Sequence, residues 1–275
     1  MTSNKKTMDE QGLTAYAKLI KELLKCPEGQ ESNVLQNHQH LIDERLIPVM
    51  QKYGQYLAKT GNENKAQCFL NIAQTLAQQL NEEYYMTILE QLAVVKYENY
   101  GDSAPIYHIL DHNRDLLDEN IARVLPQYAS DLITKFTAED TGGFVDLIES
   151  LSYDFYSFPR GNRKANIEIA IAGYLFVLSY RQENTEKWAM TQNNLGLAYS
   201  ERIRGDKAEN IEAAIAAYEQ ALLVYTQTDL PVDWARTQYN LGIAYSKRIR
   251  EDKAENIETA ITLYEGALGV FTQTD

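Results

Sequence analysis

Proline and glycine are scarce, at 6 and 14 in 275 residues. Long stretches therefore carry no breaker, which excludes an architecture of many short strands and tight turns and favours helices. Cysteine is scarcer still. Cys26 and Cys68 stand alone, too few for a disulfide framework, and a reducing cytoplasmic setting is expected. Basic charge is in deficit: 26 Lys+Arg against 39 Asp+Glu leave a net charge of −13. That balance excludes nucleic acid or an anionic membrane surface as the main partner. The most apolar run, Ile167 to Tyr180, carries Glu168 and is too short to span a bilayer. The first ten residues are polar, so no secretory signal is expected.

What is present suits a packed helical protein. Hydrophobic residues make up 44%, enough to bury a core. Tyrosine, at 19 residues, outnumbers phenylalanine, at 7. A ring with a polar tip fits positions packed on one side and wet on the other, as in thin two-layer arrays. At this length the chain forms two compact domains or one elongated array.

Self-similarity decides between them. Trp188–Asp229 aligns without gaps on Trp234–Asp275, with 31 identities over 42 positions and an offset of 46. Each unit reads as two helices. The first is predicted from Trp188 to about Arg204, with Leu195, Ala198, Tyr199 and Ile203 at helical spacing. Gly205 supplies a left-handed stop, and Asn210 is the expected N-cap of the second helix. Bare Gly196 leaves room for the partner helix, on which Ala214, Tyr218 and Ala221 share one face. Asn194-Leu195-Gly196 with Ala198-Tyr199, then Ala214, Tyr218 and Ala221, resemble the tetratricopeptide repeat, whose usual period is about 34 residues. The extra residues here, SERIRGDKAENIE, are expected to lengthen the first helix and its turn. A degenerate third copy starts at Gly161, with a diverged first helix.

The N-terminal half carries a second duplication. Val34–Ala58 aligns with Ile109–Ile133 at an offset of 75, pairing Leu35/Leu110, Leu41/Leu116, Asp43/Asp118, Tyr53/Tyr128 and Leu57/Leu132, and continuing to Phe69/Phe144 and Leu76/Leu151. Two modules of about four short helices follow from this, with Asp43 and Asp118 capping a long helix in each. The expected organisation is all-α: a first helical module at 1–81, its duplicate at 82–157, then a tetratricopeptide-like α-α superhelix at 158–275, divided at 158–187, 188–233 and 234–275.

Leu23-Leu24-Lys25-Cys26-Pro27-Glu28-Gly29, Thr60-Gly61-Asn62-Glu63-Asn64, Phe158-Pro159-Arg160-Gly161-Asn162-Arg163 and the WAxTQxNLGxAYSxRIR repeats resemble the N-terminal part of cyanobacterial proteins in which such modules precede a caspase-like CHAT domain. The resemblance implies that the array senses or recruits partners to control a protease. No alternating strand pattern is present to carry a catalytic His/Cys pair, so protease activity is not implied for this chain.

Few residues suggest chemistry. His108 and His112 share a helix face, but only Asp111 and Asp115 stand near them, so solvated histidines are expected rather than a metal site. His38 and His40 point to different faces, and Cys26 and Cys68 read as packed rather than reactive. No phosphate loop and no isolated carboxylate pair is seen, so no enzyme activity and no cofactor are expected. Arg202, Arg204, Lys207, Lys247, Arg248, Arg250 and Lys253 are expected to pair with Asp206, Glu209, Asp252 and Glu255 in a surface lattice.

The concave wall of first helices is the expected binding face. Its stripe is read as Met190, Asn193, Leu197 and Glu201 in one repeat and Arg236, Tyr239, Ile243 and Lys247 in the next. Repeats so alike differ at all of these positions, as a groove shaped to a ligand would. Leu197 and Ile243 stand where chaperone-tail clamps of the family carry asparagine, so acidic-tail recognition is not implied. A protein or peptide partner is expected, with the regulatory arm of a CHAT protease as the alternative. Because Phe271-Thr-Gln-Thr-Asp275 stops without a polar cap helix, either the chain is a fragment or the exposed end pairs with another molecule, with self-association through that repeat as one expectation.

Overall fold

A computed structural model of the chain describes residues 10–27, 29–99, 102–114 and 117–272. Glu28, Asp115, Leu116, the first nine residues and the last three, all of which enter the expectations above, lie outside the described residues. Among those described there are twelve α-helices, one short 3-10 turn and no strand. The chain divides into two compact units, residues 1–85 and 86–275.

Unit 1 holds α1 (Glu10–Lys25), α2 (Glu31–Asn37), α3 (Leu46–Lys59) and most of α4 (Glu63–Glu98). Its core gathers Tyr16, Leu19 and Leu23 from α1, Leu46 and Met50 from α3, and Phe69, Ala73 and Leu76 from α4. The Tyr16 hydroxyl donates to Asp43 at 2.6 Å. Asp43 also accepts the backbone N–H groups of Arg45 and Leu46 at 2.9 and 3.2 Å, satisfying donors that open α3.

Unit 2 holds the end of α4, then α5 (Ala104–His112), α6 (Glu119–Ile133), α7 (Ala138–Ser157), α8 (Arg163–Leu178), α9 (Glu186–Ser200), α10 (Lys207–Leu222), α11 (Pro231–Lys247) and α12 (Lys253–Phe271). Asp118 caps α6 by accepting the Asn120 N–H at 2.8 Å. Shifted by 75 residues, α2, α3 and the start of α4 fall on α5, α6 and α7. The buried positions coincide too: Leu46 with Ile121, Met50 with Leu125, Phe69 with Phe144 and Leu76 with Leu151. One element differs from the expected short helices. Glu63–Glu98 is a single helix of 36 residues, and no proline or glycine interrupts it.

From α7 onward the helices pack as hairpins, α7 with α8, α9 with α10 and α11 with α12, each second helix also touching the next first helix. Within a hairpin, small faces large. A Cβ added at Gly196 would lie 2.6 Å from the Tyr218 ring, and one at Gly242 would lie 2.7 Å from Tyr264. Such clashes admit no side chain without displacing a packed ring, buried at Tyr218 and half-buried at Tyr264, so the bare glycine fixes how closely the helices approach.

Two details of the turns correct the sequence expectation. The first helices end at Ser200 and Lys247, so the inserted residues extend the turn and not the helix. Asn210 is not the cap. Asp206 caps α10 through the Glu209 N–H, while buried Asn210 donates its amide to the carbonyls of Arg202 and Arg204. Asn166 and Asn256 hold the equivalent turns, through Arg160 and Arg250. An amide can satisfy backbone carbonyls that a wide turn leaves unpaired, which a capping side chain elsewhere cannot do.

Each turn also needs one residue at positive φ. Gly161 and Gly205 fill that position at 78° and 79°, but Glu251 fills it at 65°. A left-handed non-glycine costs about 1–2 kcal/mol, of which glycine would return about 0.4–1 through the freer unfolded chain. Glu251→Gly is therefore expected to stabilise the protein by about 0.5–1 kcal/mol. Thermal unfolding would show it as a midpoint rise of about 1–3 °C. A lower midpoint would show that Glu251 carries no such strain.

Candidate functional site

The first helices of the three hairpins lie side by side and line a groove of about 670 Å³. From α7 come Asp146, Glu149, Ser150 and Tyr153, from α9 Glu186, Lys187, Met190, Asn193 and Asn194, and from α11 Asp233, Arg236 and Thr237. Tyr225 also lines it and is buried. Tyr153 and Met190 are exposed apolar groups on its wall. Asp146 pairs with Lys187 at 2.7 Å, and Arg236 with Asp233 at 3.3 Å. The wall thus mixes aromatic, thioether, amide and charged groups, with four carboxylates against two cations.

The eight stripe residues do not form one exposed surface. Met190, Asn193 and Arg236 line the groove. Asn193 is buried, however, and its carbonyl oxygen accepts from Thr237 at 3.3 Å and Asn240 at 3.4 Å. Leu197 packs into the core shared by α10 and α11. Glu201 is tied to Arg163 and to the Tyr156 hydroxyl. Tyr239 and Ile243 are the counterparts of Asn193 and Leu197 one repeat later, and Tyr239 sits 5.6 Å from the Tyr264 ring. Lys247 lines a separate depression with Ile203 and Asn210. The flank of a first helix that carries positions 193 and 197 faces the next repeat, with Asn193 at the groove's edge; the groove takes 186, 187, 190 and 194.

The basic residues of the turns also find partners other than those expected. Arg202 grips Glu168 on α8 with two nitrogens at 2.8 and 2.7 Å. Arg248 does the same to Glu212 on α10, both at 2.8 Å. Arg204 pairs with Glu119. Asp206 and Asp252 are used as caps. Each lengthened turn thus sends one arginine back to the preceding second helix, and the bidentate geometry fixes its register.

Beneath the groove lies a polar strut that sequence reasoning missed. Glu149 is 5% exposed. One of its oxygens accepts from the Thr191 hydroxyl at 2.5 Å and the other from the Arg181 guanidinium. Burial raises its pKa above the usual carboxylate range, partly offset by those two donors. Lys96 and Asp154, also buried, pair at 2.6 Å between α4 and α7. Both acids sit among apolar residues of α7, an interruption visible in the sequence, but their partners lie 32 to 58 residues away.

The other candidates are quiet. His108 and His112 are exposed, with rings 4.6 Å apart. Asp111 is paired with Arg160, and Asp115 lies outside the described residues. Burial pushes the Cys26 thiol up, away from the thiolate form that reacts. Among the described residues no group of three or more His, Cys, Asp or Glu could hold a metal ion. No helix among them is long and apolar enough to cross a membrane. Unit 1 has its own groove of about 860 Å³, where Gln36, Gln39, Gln67 and Asn71 stand over Leu35 and Ile72.

A comparison with known families supports this reading of α9 and α10. The family described as Tetratricopeptide repeat matches residues 188–224, so the chain contains such a repeat. No curated protein and no solved structure matches.

The Glu149 strut yields a prediction with a sign. Thr191→Val removes one donor and is expected to cost about 1–3 kcal/mol. Because burial already raises the folded pKa of Glu149 above its ordinary 4.5, the fold holds this proton more tightly than the unfolded chain and loses stability as pH rises past that value. The deficit of the variant should be largest near neutral pH and should narrow as pH falls toward about 4.5. Urea unfolding at several pH values measures it, and a deficit that widens on acidification would contradict it.

Proposed function

We propose that this chain is a non-enzymatic interaction scaffold that holds a segment of a protein partner in the groove between α7, α9 and α11. The observation that carries the reading is the groove itself. It lies on the first-helix side of stacked hairpins, one of which matches a repeat class that generally mediates protein interactions. Stacked repeats place their first helices along one continuous surface, which suits an extended ligand.

The residues divide the work. Tyr153 and Met190 offer exposed apolar surface against which partner side chains lose water. Asn194 and Arg236 add hydrogen-bonding groups that select register. Glu149 and Thr191 hold α7 to α9, so the walls stay at a fixed separation. A preformed wall reduces the ordering cost of association. The groove needs no cofactor for this role.

The test is affinity capture with the intact chain, quantified by mass spectrometry of what is retained. A Tyr153→Ser, Met190→Lys double variant should lose at least tenfold of the specific partner while its far-UV circular dichroism stays unchanged. Ala216→Lys, at an exposed position on α10, should retain it. Equal capture by both variants would place binding outside this groove.

A further inference from the structure

Packing closes the faces between hairpins. On α10, Ile211, Ile215 and Tyr218 are buried beneath Leu241 and Ala244 of α11, and Arg202 and Arg248 are spent on Glu168 and Glu212. The α7–α9–α11 groove, by contrast, keeps two polar groups open. Three of its four carboxylates are opposed by cations: Asp146 by Lys187 and Arg181, Glu149 by Arg181, and Asp233 by Arg236. The fourth, Glu186, is exposed and has no such partner among the described residues. It stands in the first turn of α9, where the helix dipole favours the ionised form.

Tyr225 is the second open group. Its ring packs with Trp188, Ala189 and Ala221 and the residue is 5% exposed, yet it lines the groove. Its hydroxyl has no hydrogen-bond partner among the described residues, so a donor that reached it would relieve an unpaired polar group. Burial, and then the negative charges of Asp233, Glu186 and Glu149, hold the phenol above its ordinary range. The group therefore stays a neutral hydroxyl whose oxygen can accept.

The hairpin itself requires neither group. Shifted by 46 residues, Glu186, Met190 and Tyr225 become Val232, Arg236 and Phe271. The next hairpin folds without the carboxylate and without the hydroxyl. It also carries a cation where the first has a thioether.

We infer that Glu186, Met190 and Tyr225 seat an arginine side chain of the partner segment held in this groove. The inference rests on the groove reading above and adds the chemistry of the occupant. Glu186 and Met190 are four residues apart on α9 and so share a face. The arginine stem lies along the exposed thioether while its head reaches the carboxylate. A guanidinium spreads its N–H donors in a rigid plane and is weakly hydrated, so it can serve the Glu186 carboxylate and the Tyr225 oxygen together at low desolvation cost. An acidic segment finds no such seat, because Lys187 and Arg236 already have carboxylate partners.

The probe is the blocked tripeptide acetyl-Leu-Arg-Leu-amide, titrated into the full chain and followed through the methyl NMR signal of Met190. A saturable shift is expected. Replacing the arginine by citrulline, its neutral counterpart, should weaken binding about fivefold or more. Glu186→Gln should weaken binding of the arginine peptide about threefold, and Tyr225→Phe, which copies the ring of the next hairpin, by a similar factor. Glu258→Gln, at an exposed carboxylate on α12, should bind as the wild-type chain does, which separates the seat from attraction by net charge. Blocked arginine alone should bind about threefold more weakly than the tripeptide; equal binding would mean a seat for a free cation and would overturn the proposal. So would the absence of a shift, a citrulline peptide that binds as well, or undiminished binding by Glu186→Gln. In the capture experiment above, full retention by Glu186→Gln together with loss by the Tyr153→Ser, Met190→Lys variant would overturn the arginine seat alone and leave the groove reading standing.

Discussion

The joint between consecutive hairpins is the interaction on which the rest of unit 2 depends. A single helix pair cannot bury both of its apolar faces; the isoleucine–tyrosine stripe of each second helix leaves water only when the next first helix covers it. Burying one such side chain contributes about 1.5–3 kcal/mol, but the stripe alone would tolerate sliding. The two-nitrogen contact of Arg202 with Glu168, and of Arg248 with Glu212, removes that freedom. Once the joints set the spacing of α7, α9 and α11, the groove between them follows as a consequence of stacking.

Polar groups inside the array act in the same sense. Asn166, Asn210 and Asn256 satisfy carbonyls of the wide turns, and the turns of Asn210 and Asn256 carry the joint arginines. The Glu149, Thr191 and Arg181 cluster and the Lys96–Asp154 pair occupy sites where apolar side chains would also pack. Buried ion pairs are weak contributors to stability compared with well-packed hydrocarbon, and their value is in specifying one arrangement. Here each links α7 to a different neighbour. Of the helices lining the groove, α7 is the one whose sequence departs most from the repeat.

Much of this was legible in the residues. The tandem copies from Trp188 announced the hairpins, and Gly196 opposite Tyr218 follows from small facing large along a 3.6-residue period. The joint partners were not legible. Arg202 stands beside Asp206 and Glu209 in sequence, yet its acceptor is Glu168, 34 residues earlier. Nothing local distinguishes a near carboxylate from a far one that stacking brings closer. The first-helix stripe divides in the structure for a related reason. Helical spacing groups Met190, Asn193 and Leu197 on one side of α9, but only tertiary packing decides where that side divides between groove and next repeat. The result was Met190 in the groove and Leu197 in the joint. The α7 wall, with Glu149 and Tyr153, carries no repeat signature at all.

If the joints carry the array, weakening one should loosen what lies on both sides of it. Hydrogen–deuterium exchange on Ile215→Ala, compared with the wild-type chain, measures this most directly. Nearest-neighbour coupling predicts faster exchange in α10 and, to a similar degree, in α11 and α12, with α1 to α3 unchanged. Faster exchange confined to α10, with α11 and α12 as protected as before, would contradict it.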